Sequence, residues 1–131
     1  ISTDGGLVAD TFAMYDVMRD IQKECEISTF GVGKVMSAGL LLLAAGTKGK
    51  RRIGKHCRLM IHQISSGHYG QLHDLENNFE EIKHMQKMYV DALVGLTNMT
   101  KKQIANLFKR KNDIYFDAET AVKWGLADTI V

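Results

Sequence analysis

Apolar and polar residues in the first third of the chain follow a helical period and then give way to a short apolar run. The spacing predicts a helix from about Leu7 to Lys23, behind the flexible glycine pair Gly5-Gly6. The apolar stripe of this helix is formed by Val8, Phe12, Tyr15 and Ile21. The stretch from Ile27 to Val32 that follows predicts a strand.

A strand-to-helix corner is predicted around Ser37. The small residues between Gly33 and Gly39 precede the apolar run Leu40 to Ala45, which predicts a buried helix that stops near Gly46. The apolar segment Arg58 to Ile61 predicts the next strand. Strands that alternate with helices predict an α/β fold with parallel strand pairing.

A long amphipathic helix is predicted from Gln71 to Leu96. At 1.5 Å per residue it would be roughly 40 Å long, which is more than a small domain needs to cover its own sheet. Two interpretations stay open: a helix that lies wholly on its own domain, and a helix whose apolar stripe also meets another chain. The stripe contains Leu72, Leu75, Phe79, Ile82, Tyr89, Leu93 and Leu96.

The last third of the chain predicts two shorter helices. The segment Thr100 to Gln103 resembles a capping box, which marks the start of one of them. Asp117 is placed to cap the other, which would end at Gly125.

Composition is that of an ordinary globular domain, with 45% apolar and 24% charged residues among 131, so residues 1–131 are treated as one domain. No apolar stretch approaches the roughly twenty residues that cross a bilayer, and no membrane role is expected. Cys25 and Cys57 form no C-x-x-C pair, which favours a cytoplasmic or equivalent organelle compartment. The basic cluster is interpreted as a solvated turn without a nucleic-acid role, and it contains Lys48, Lys50, Arg51, Arg52 and Lys55.

Three residues that suit nucleophilic catalysis occur in the order Ser, His, Asp. Ser37 lies at the predicted corner, where the first N–H groups of the next helix lack intrahelical partners and can bind an anion. His62 ends the strand Arg58 to Ile61, and Asp113 precedes an aromatic pair. Each residue alone is more often structural, but their joint occurrence favours a hydrolase. The other histidines show no tight ligand spacing, so neither a metal nor another cofactor is expected.

The motifs around these residues occur together in one known family. They are the glycine pair of Ser2 to Gly6, the G-x-x-x-S-x-G turn at Ser37, the A-A-G-x-K-G-K-R run, M-I-H-Q, the glycine-containing segment that follows, and D-x-aromatic-x-x-A ahead of W-G-L-A-D. In this order and at these spacings, the chain resembles the proteolytic subunit of the Clp protease, ClpP, nearly end to end. The resemblance implies a ClpP/crotonase-like spiral of strand-helix repeats with a protruding handle, at about residues 64–97.

The resemblance also implies the roles of the site residues. Ser37 would be the nucleophile, His62 the general base and later the acid, and Asp113 the group that orients the imidazole. The backbone N–H groups of Gly6 and Ala38 would form the oxyanion hole. A glycine-containing strand would pair with substrate backbone, and its residues are Ser66, Gly67, His68 and Gly70.

By the same resemblance, the expected enzyme is an ATP-dependent, Clp-type serine endopeptidase of unfolded or short peptides. It would work as a homo-oligomer of stacked heptameric rings, and a separate AAA+ unfoldase would feed it folded substrates. Relative to the family, the N-terminal strands, first helix and axial loop are missing from this sequence. Three other functions remain as alternatives: a catalytically inactive ring subunit, a crotonase-type acyl-CoA enzyme and a phage capsid maturation protease.

The sequence departs from the family pattern at several positions. Proline is usual where Asp4 and Ile64 stand, which changes the expected loop rigidity. Arginine is common at the position of Asn112, where it pairs with an acidic residue on the handle; Asp74 holds that acidic place here. We therefore hypothesise that the coupling between ring contact and site is rewired through Arg110 or Lys111, or is absent.

Overall fold

The computed structural model describes residues 1–131, which form five helices and six short strands. The helices are α1 (Val8–Ile21), α2 (Gly39–Ala44), α3 (Leu72–Leu96), α4 (Lys101–Phe108) and α5 (Ala118–Lys123). The strands are β1 (Thr29–Gly31), β2 (Lys34–Met36), β3 (Arg51–Ile53), β4 (Arg58–Ile61), β5 (Ile114–Phe116) and β6 (Thr129–Ile130). The predicted α/β fold is confirmed.

The strands form two three-stranded sheets. The first has the order β1-β3-β6, and both of its pairings are parallel. The second has the order β2-β4-β5, with β2 parallel and β5 antiparallel to β4. The prediction of parallel pairing is therefore wrong for β5, because the chain enters β5 beside the carboxyl end of β4 and runs back along it.

The chain passes repeatedly from the first sheet to the second. Short connecting segments lead from β1 to β2 and from β3 to β4. The two segments lie side by side and are joined by hydrogen bonds from Gly54 N to Gly31 O (2.8 Å) and from Arg58 N to Gly33 O (2.9 Å). Helix α2 lies between the two passes along the chain. This repetition gives the predicted spiral of strand-helix units.

Helix α2 forms the centre of the hydrophobic core. Its residues Leu40, Leu41 and Leu43 are fully buried, and each stabilises the fold by about 1.5–3 kcal/mol relative to an exposed side chain. The helix is flanked by apolar side chains from both sheets and from α3, α4 and α5, including Val35, Ile53, Leu59, Leu93, Ile104 and Ala121.

Helix α3 confirms the predicted long helix and has two unlike halves. Near its carboxyl end, Tyr89 and Leu93 are buried in the core. Near its amino end, Leu72, Leu75 and Phe79 are exposed by 73%, 39% and 58%. The first half therefore presents an apolar surface that its own domain does not cover.

The caps predicted for the last two helices are present. The Thr100 side chain accepts from Gln103 N (3.2 Å) while the Gln103 side chain accepts from Thr100 N (2.8 Å), which completes the capping box of α4. The Asp117 carboxylate accepts from Thr120 N at 2.9 Å and begins α5. The hydrogen bonds from Thr120, first from its backbone N–H and then from its side chain, hold the pKa of Asp117 below its usual value.

A buried ion pair joins β3 to β6 in the first sheet. The register pairs Arg52 with Thr129, which places Arg51 beside Asp128. The Arg51 guanidinium donates from Nε to Asp128 Oδ2 (3.0 Å) and from Nη2 to Oδ1 (2.5 Å), and its side chain is only 5% exposed. The prediction that Arg51 belongs to a solvated turn is therefore wrong. The side-chain hydrogen bonds from Arg51 lower the pKa of Asp128.

Candidate active site

The second sheet brings Ser37 and His62 to the same edge. Ser37 directly follows β2 and His62 directly follows β4. Because β2 and β4 are parallel, with Met36 opposite Met60, their carboxyl ends lie side by side. The Ser37 Oγ is 2.7 Å from the His62 Nε2, which is hydrogen-bond distance.

The antiparallel direction of β5 brings Asp113 to this edge. Asp113 directly precedes β5, and Ile114 lies opposite Ile61, so Asp113 faces the residue after β4. The Asp113 Oδ1 is 3.2 Å from the His62 Nδ1. A parallel β5 would place Asp113 at the other end of the strand, away from the imidazole.

The chemistry of these groups sets the direction of both hydrogen bonds. An ionised carboxylate can only accept, so the His62 Nδ1–H donates to Asp113. The neutral His62 Nε2 then carries a lone pair, which accepts the hydroxyl proton of Ser37. The side chains of His62 and Asp113 are 26% and 50% exposed, so the pair is open to solvent on one side.

Ser37 has an unusual backbone conformation. Its φ of 54° lies in the left-handed region, which is sparsely occupied by residues with a side chain. The Ser37 N–H donates to Met60 O at 2.8 Å, which ties this turn to β4. In this conformation the hydroxyl faces His62, and sparsely populated backbone conformations of this kind are concentrated at functional sites.

The predicted glycine pair contributes differently from what the sequence indicates. A Cβ at Gly5 would lie 2.8 Å from the Ser37 Cβ and 3.2 Å from its Oγ, and Gly5 has a φ of 114°. At Gly6 a Cβ would meet no atom within 4 Å. Within the pair, the close approach that excludes a side chain is therefore made by Gly5 and not by Gly6.

A cavity of about 60 Å³ opens beside the Ser37 hydroxyl. The backbone N–H groups of Gly6 and Ala38 donate no hydrogen bond within the chain, and both residues line this cavity. The other lining residues are Val8, Thr11, Phe12, Ser37, His62, Ile64, Ser65 and Tyr89. The cavity thus combines a hydroxyl, an imidazole and two residues with unused backbone donors in a largely apolar wall.

Two further residues of α3 contact the site, and both were missed as site residues. The Tyr89 hydroxyl donates to Ser37 O at 3.0 Å, and burial raises the pKa of this phenol above its usual value. The Gln86 Oε1 accepts from Ile64 N at 2.8 Å. A signal existed for Tyr89, because a hydroxyl in an otherwise apolar helical stripe needs a hydrogen-bond partner when it is buried.

The predicted substrate segment is an exposed, unpaired stretch rather than a strand. Ser66, Gly67, His68 and Gly70 are all exposed, and no backbone group from Ser65 to Gly70 makes a hydrogen bond within the chain. The segment leaves the edge of the site just after His62 and Gln63. Its backbone donors and acceptors are therefore free.

A second cavity lies on the other side of His62. It is lined by His62, Gln63, Phe108, Lys111, Asn112 and Asp113, and its volume is about 290 Å³. On α3, the Asp74 Oδ1 is 3.2 Å from the His73 Nε2. Within this single chain, Arg110 and Lys111 form no ion pair, so coupling through either of them stays a prediction.

The fold and the side-chain order match those of a known class of protein. Hydroxyl, imidazole and carboxylate in this hydrogen-bonded order, at one edge of an α/β fold, are the arrangement of serine hydrolases. The family model of the Clp protease matches residues 1–131. The chain therefore belongs to the Clp protease family. No helix combines the length and the apolar character that crossing a membrane would require.

Curated relatives agree with this membership. The ATP-dependent Clp protease proteolytic subunit 2 of Chlamydia pneumoniae is 36% identical over 131 residues, which are 100% of this chain and 63% of that protein. Subunit 1 of Chlamydia felis gives the same identity and coverage, and subunit 2 of Chlamydia trachomatis serovar D is 35% identical over the same share. The chain thus spans about 63% of the length of these relatives.

Proposed function

We propose that this chain carries the active site of a Clp-type serine endopeptidase. Ser37 attacks the peptide carbonyl while His62 takes its proton and later donates it to the leaving amine. Asp113 holds the imidazole and stabilises the imidazolium that forms. The observation that carries this proposal is the pair of hydrogen bonds from Ser37 Oγ to His62 Nε2 (2.7 Å) and from His62 Nδ1 to Asp113 Oδ1 (3.2 Å).

The oxyanion of the tetrahedral intermediate would be bound by the backbone N–H groups of Gly6 and Ala38. Both donors lack partners within the chain, and both residues line the cavity that contains the Ser37 hydroxyl. Donors aimed at the developing charge act strongly in a site that excludes water. Losing one of them typically lowers turnover by about a hundred- to a thousandfold.

The substrates we propose are unfolded or short peptides. The free backbone of Ser66, Gly67, His68 and Gly70 supports recognition by strand addition, in which main-chain hydrogen bonds hold the peptide. Because every peptide offers the same backbone groups, this mode tolerates many sequences. It therefore suits degradation better than cleavage of one site.

We propose that the enzyme is a homo-oligomer of stacked, heptameric rings and that a separate AAA+ ATPase feeds it folded substrates. The exposed Leu72, Leu75 and Phe79 on the first half of α3 support a handle that packs against another chain. The named relatives are subunits of an ATP-dependent protease, which supports an ATPase partner.

The test is labelling of the assembled protein with a fluorophosphonate probe, followed by mass spectrometry of the adduct. We expect an adduct on Ser37 that is lost in Ser37→Ala and in His62→Ala. An assembled protein without the adduct would overturn the proposal and favour an inactive ring subunit, or an acyl-CoA enzyme if it turns over thioesters. An adduct with cleavage confined to one scaffold protein would indicate a phage maturation protease.

A further inference from the structure

The hydrogen bond between Gln86 and Ile64 holds the backbone next to the site. Ile64 lies two residues after His62 and lines the cavity beside Ser37. Its N–H donates to the Gln86 Oε1 at 2.8 Å. Between His62 and Gly70, this N–H is the one backbone group with a hydrogen bond inside the chain. The segment from Ser65 to Gly70, which makes no backbone hydrogen bond, therefore begins directly after the residue that Gln86 binds.

The Gln86 amide makes this contact at a cost to the fold. An N–H group can be met only by the amide oxygen, which fixes the orientation of the side chain. The Gln86 Nε2 is then buried and has no hydrogen-bond partner. A buried, unpaired donor is unfavourable, so the side chain is poorly explained as a stabilising element. Its effect on the structure is to fix the position of the Ile64 backbone.

We propose that Gln86 is a positioning residue for peptide binding. By holding the Ile64 N–H, it sets where the free backbone of Ser65 to Gly70 starts relative to His62. This inference rests on the proposed function, in which that segment pairs with the peptide. Gln86 acts through Ile64 and does not touch the reacting atoms.

The first test is Gln86→Met, which keeps the length of the side chain and removes the amide. We expect the KM for an unstructured peptide to rise about three- to tenfold, the range for one lost neutral hydrogen bond. The rate of Ser37 labelling by the fluorophosphonate probe should not change, because the contact of Ser37 with His62 is intact. The melting temperature should change little, because the variant removes the buried unpaired donor of Gln86 and also loses the hydrogen bond to the Ile64 N–H.

The second test is a double-mutant cycle with Ile64→Pro. Proline has no N–H, so Gln86→Met has nothing to release in that background and should raise KM no further. Independent, additive increases in KM would overturn the proposal. If Ile64→Pro does not fold, hydrogen exchange of the Ile64 amide decides. Exchange should be faster in Gln86→Met, and unchanged exchange would overturn the proposal.

The matched control is Gln22→Met, which removes a glutamine contact far from the site. The Gln22 Nε2 donates to Ala45 O at 2.6 Å and its Oε1 accepts from Arg19 Nη1 at 2.7 Å, so this change should lower the melting temperature and leave KM unchanged. A wild-type protein that takes no label at Ser37 would contradict the proposed function itself. Normal labelling with an unchanged KM in Gln86→Met would contradict only the role of Gln86.

Discussion

Each of the two sheets contains a nitrogen-bearing side chain that is hydrogen-bonded to a carboxylate just before a neighbouring strand. The two pairs differ in how deeply they are buried. In the first sheet, Arg51 and Asp128 are 5% and 20% exposed and make two side-chain hydrogen bonds. In the second, His62 and Asp113 are 26% and 50% exposed and make one. A parallel pairing of β3 with β6 thus carries a buried ion pair, and an antiparallel pairing of β4 with β5 carries a pair that is open to solvent.

The two nitrogen-bearing side chains, Arg51 and His62, also differ in their chemistry and in their other contacts. The Arg51 guanidinium is permanently charged and also donates to Leu96 O at 3.0 Å, so its donors are directed at fixed protein groups. The His62 imidazole has only two ring nitrogens, and the one that does not face Asp113 faces the Ser37 hydroxyl. The comparison indicates that the first pair stabilises the fold and the second is free to do chemistry.

The largest effect is expected from Asp113→Asn. The amide can donate to the imidazole and favour the wrong tautomer, so we expect peptidase turnover to fall by about a thousand- to ten-thousandfold. The melting temperature should change little, because Asp113 is half exposed. Steady-state peptide cleavage and thermal denaturation of the same sample measure both. If Asp113→Asn destabilised the protein as much as Asp128→Ala does, the two pairs would not differ in their contribution to stability.

The next largest effect is expected from Asp128→Ala, which should lower the free energy of unfolding and leave the chemistry at Ser37 unchanged. Removing the carboxylate leaves the guanidinium of Arg51 buried without its counter-charge, which costs about 3 kcal/mol in the free energy of unfolding. Denaturant titration measures this loss. Labelling of Ser37 in the protein that remains folded should proceed at the wild-type rate.

The pH dependence of unfolding is the control for that change. Because Arg51 lowers the pKa of Asp128 in the folded state, the ionised carboxylate contributes stability above its unfolded pKa of about 3.9. This stability is lost as the pH falls below that value and through the folded pKa. The Asp128→Ala protein should lack this part of the acid dependence. An identical acid profile in both proteins would contradict the role of the pair.

The smallest effect is expected from Tyr89→Phe, which tests whether the open site has support of its own. The change removes the hydrogen bond to Ser37 O and leaves the ring in the core, so the cost should be about 1 kcal/mol. Leu40 N still donates to Ser37 O at 3.0 Å. We expect turnover to fall less than tenfold with unchanged KM. Turnover equal to wild type would show that this brace is dispensable.

The long and strongly patterned elements were predictable from the sequence. Helix α3, the capping box of α4 and the cap of α5 each have a local cause, in periodicity or in a side chain that reaches its own backbone. Strands β2, β3, β5 and β6 were not predicted. They contain two or three residues each, too few for a period to appear, and they exist because neighbouring strands pair with them.

The candidate site was predictable as a set of residues and not as a geometry. Ser37, His62 and Asp113 stood out through their motifs and their resemblance to a family. Their assembly depends on the antiparallel pairing of β5, which the sequence pattern does not contain. The role of Gly5 depends on the nearness of Ser37, whose Cβ would lie 2.8 Å from a Cβ at Gly5. The role of Gln86 depends on its 2.8 Å hydrogen bond to Ile64 N, and neither distance can be read from the sequence.

The antiparallel return of β5 also has a consequence for the timing of synthesis. Ser37 and His62 are 25 residues apart, whereas Asp113 follows His62 by 51 and comes after α3 and α4. A chain growing from its amino end therefore carries the hydroxyl and the imidazole long before the carboxylate emerges. Under the proposed function, a nascent chain is a protease without its third residue. Under that function, the late position of Asp113 delays efficient peptide cleavage until β5 has been made.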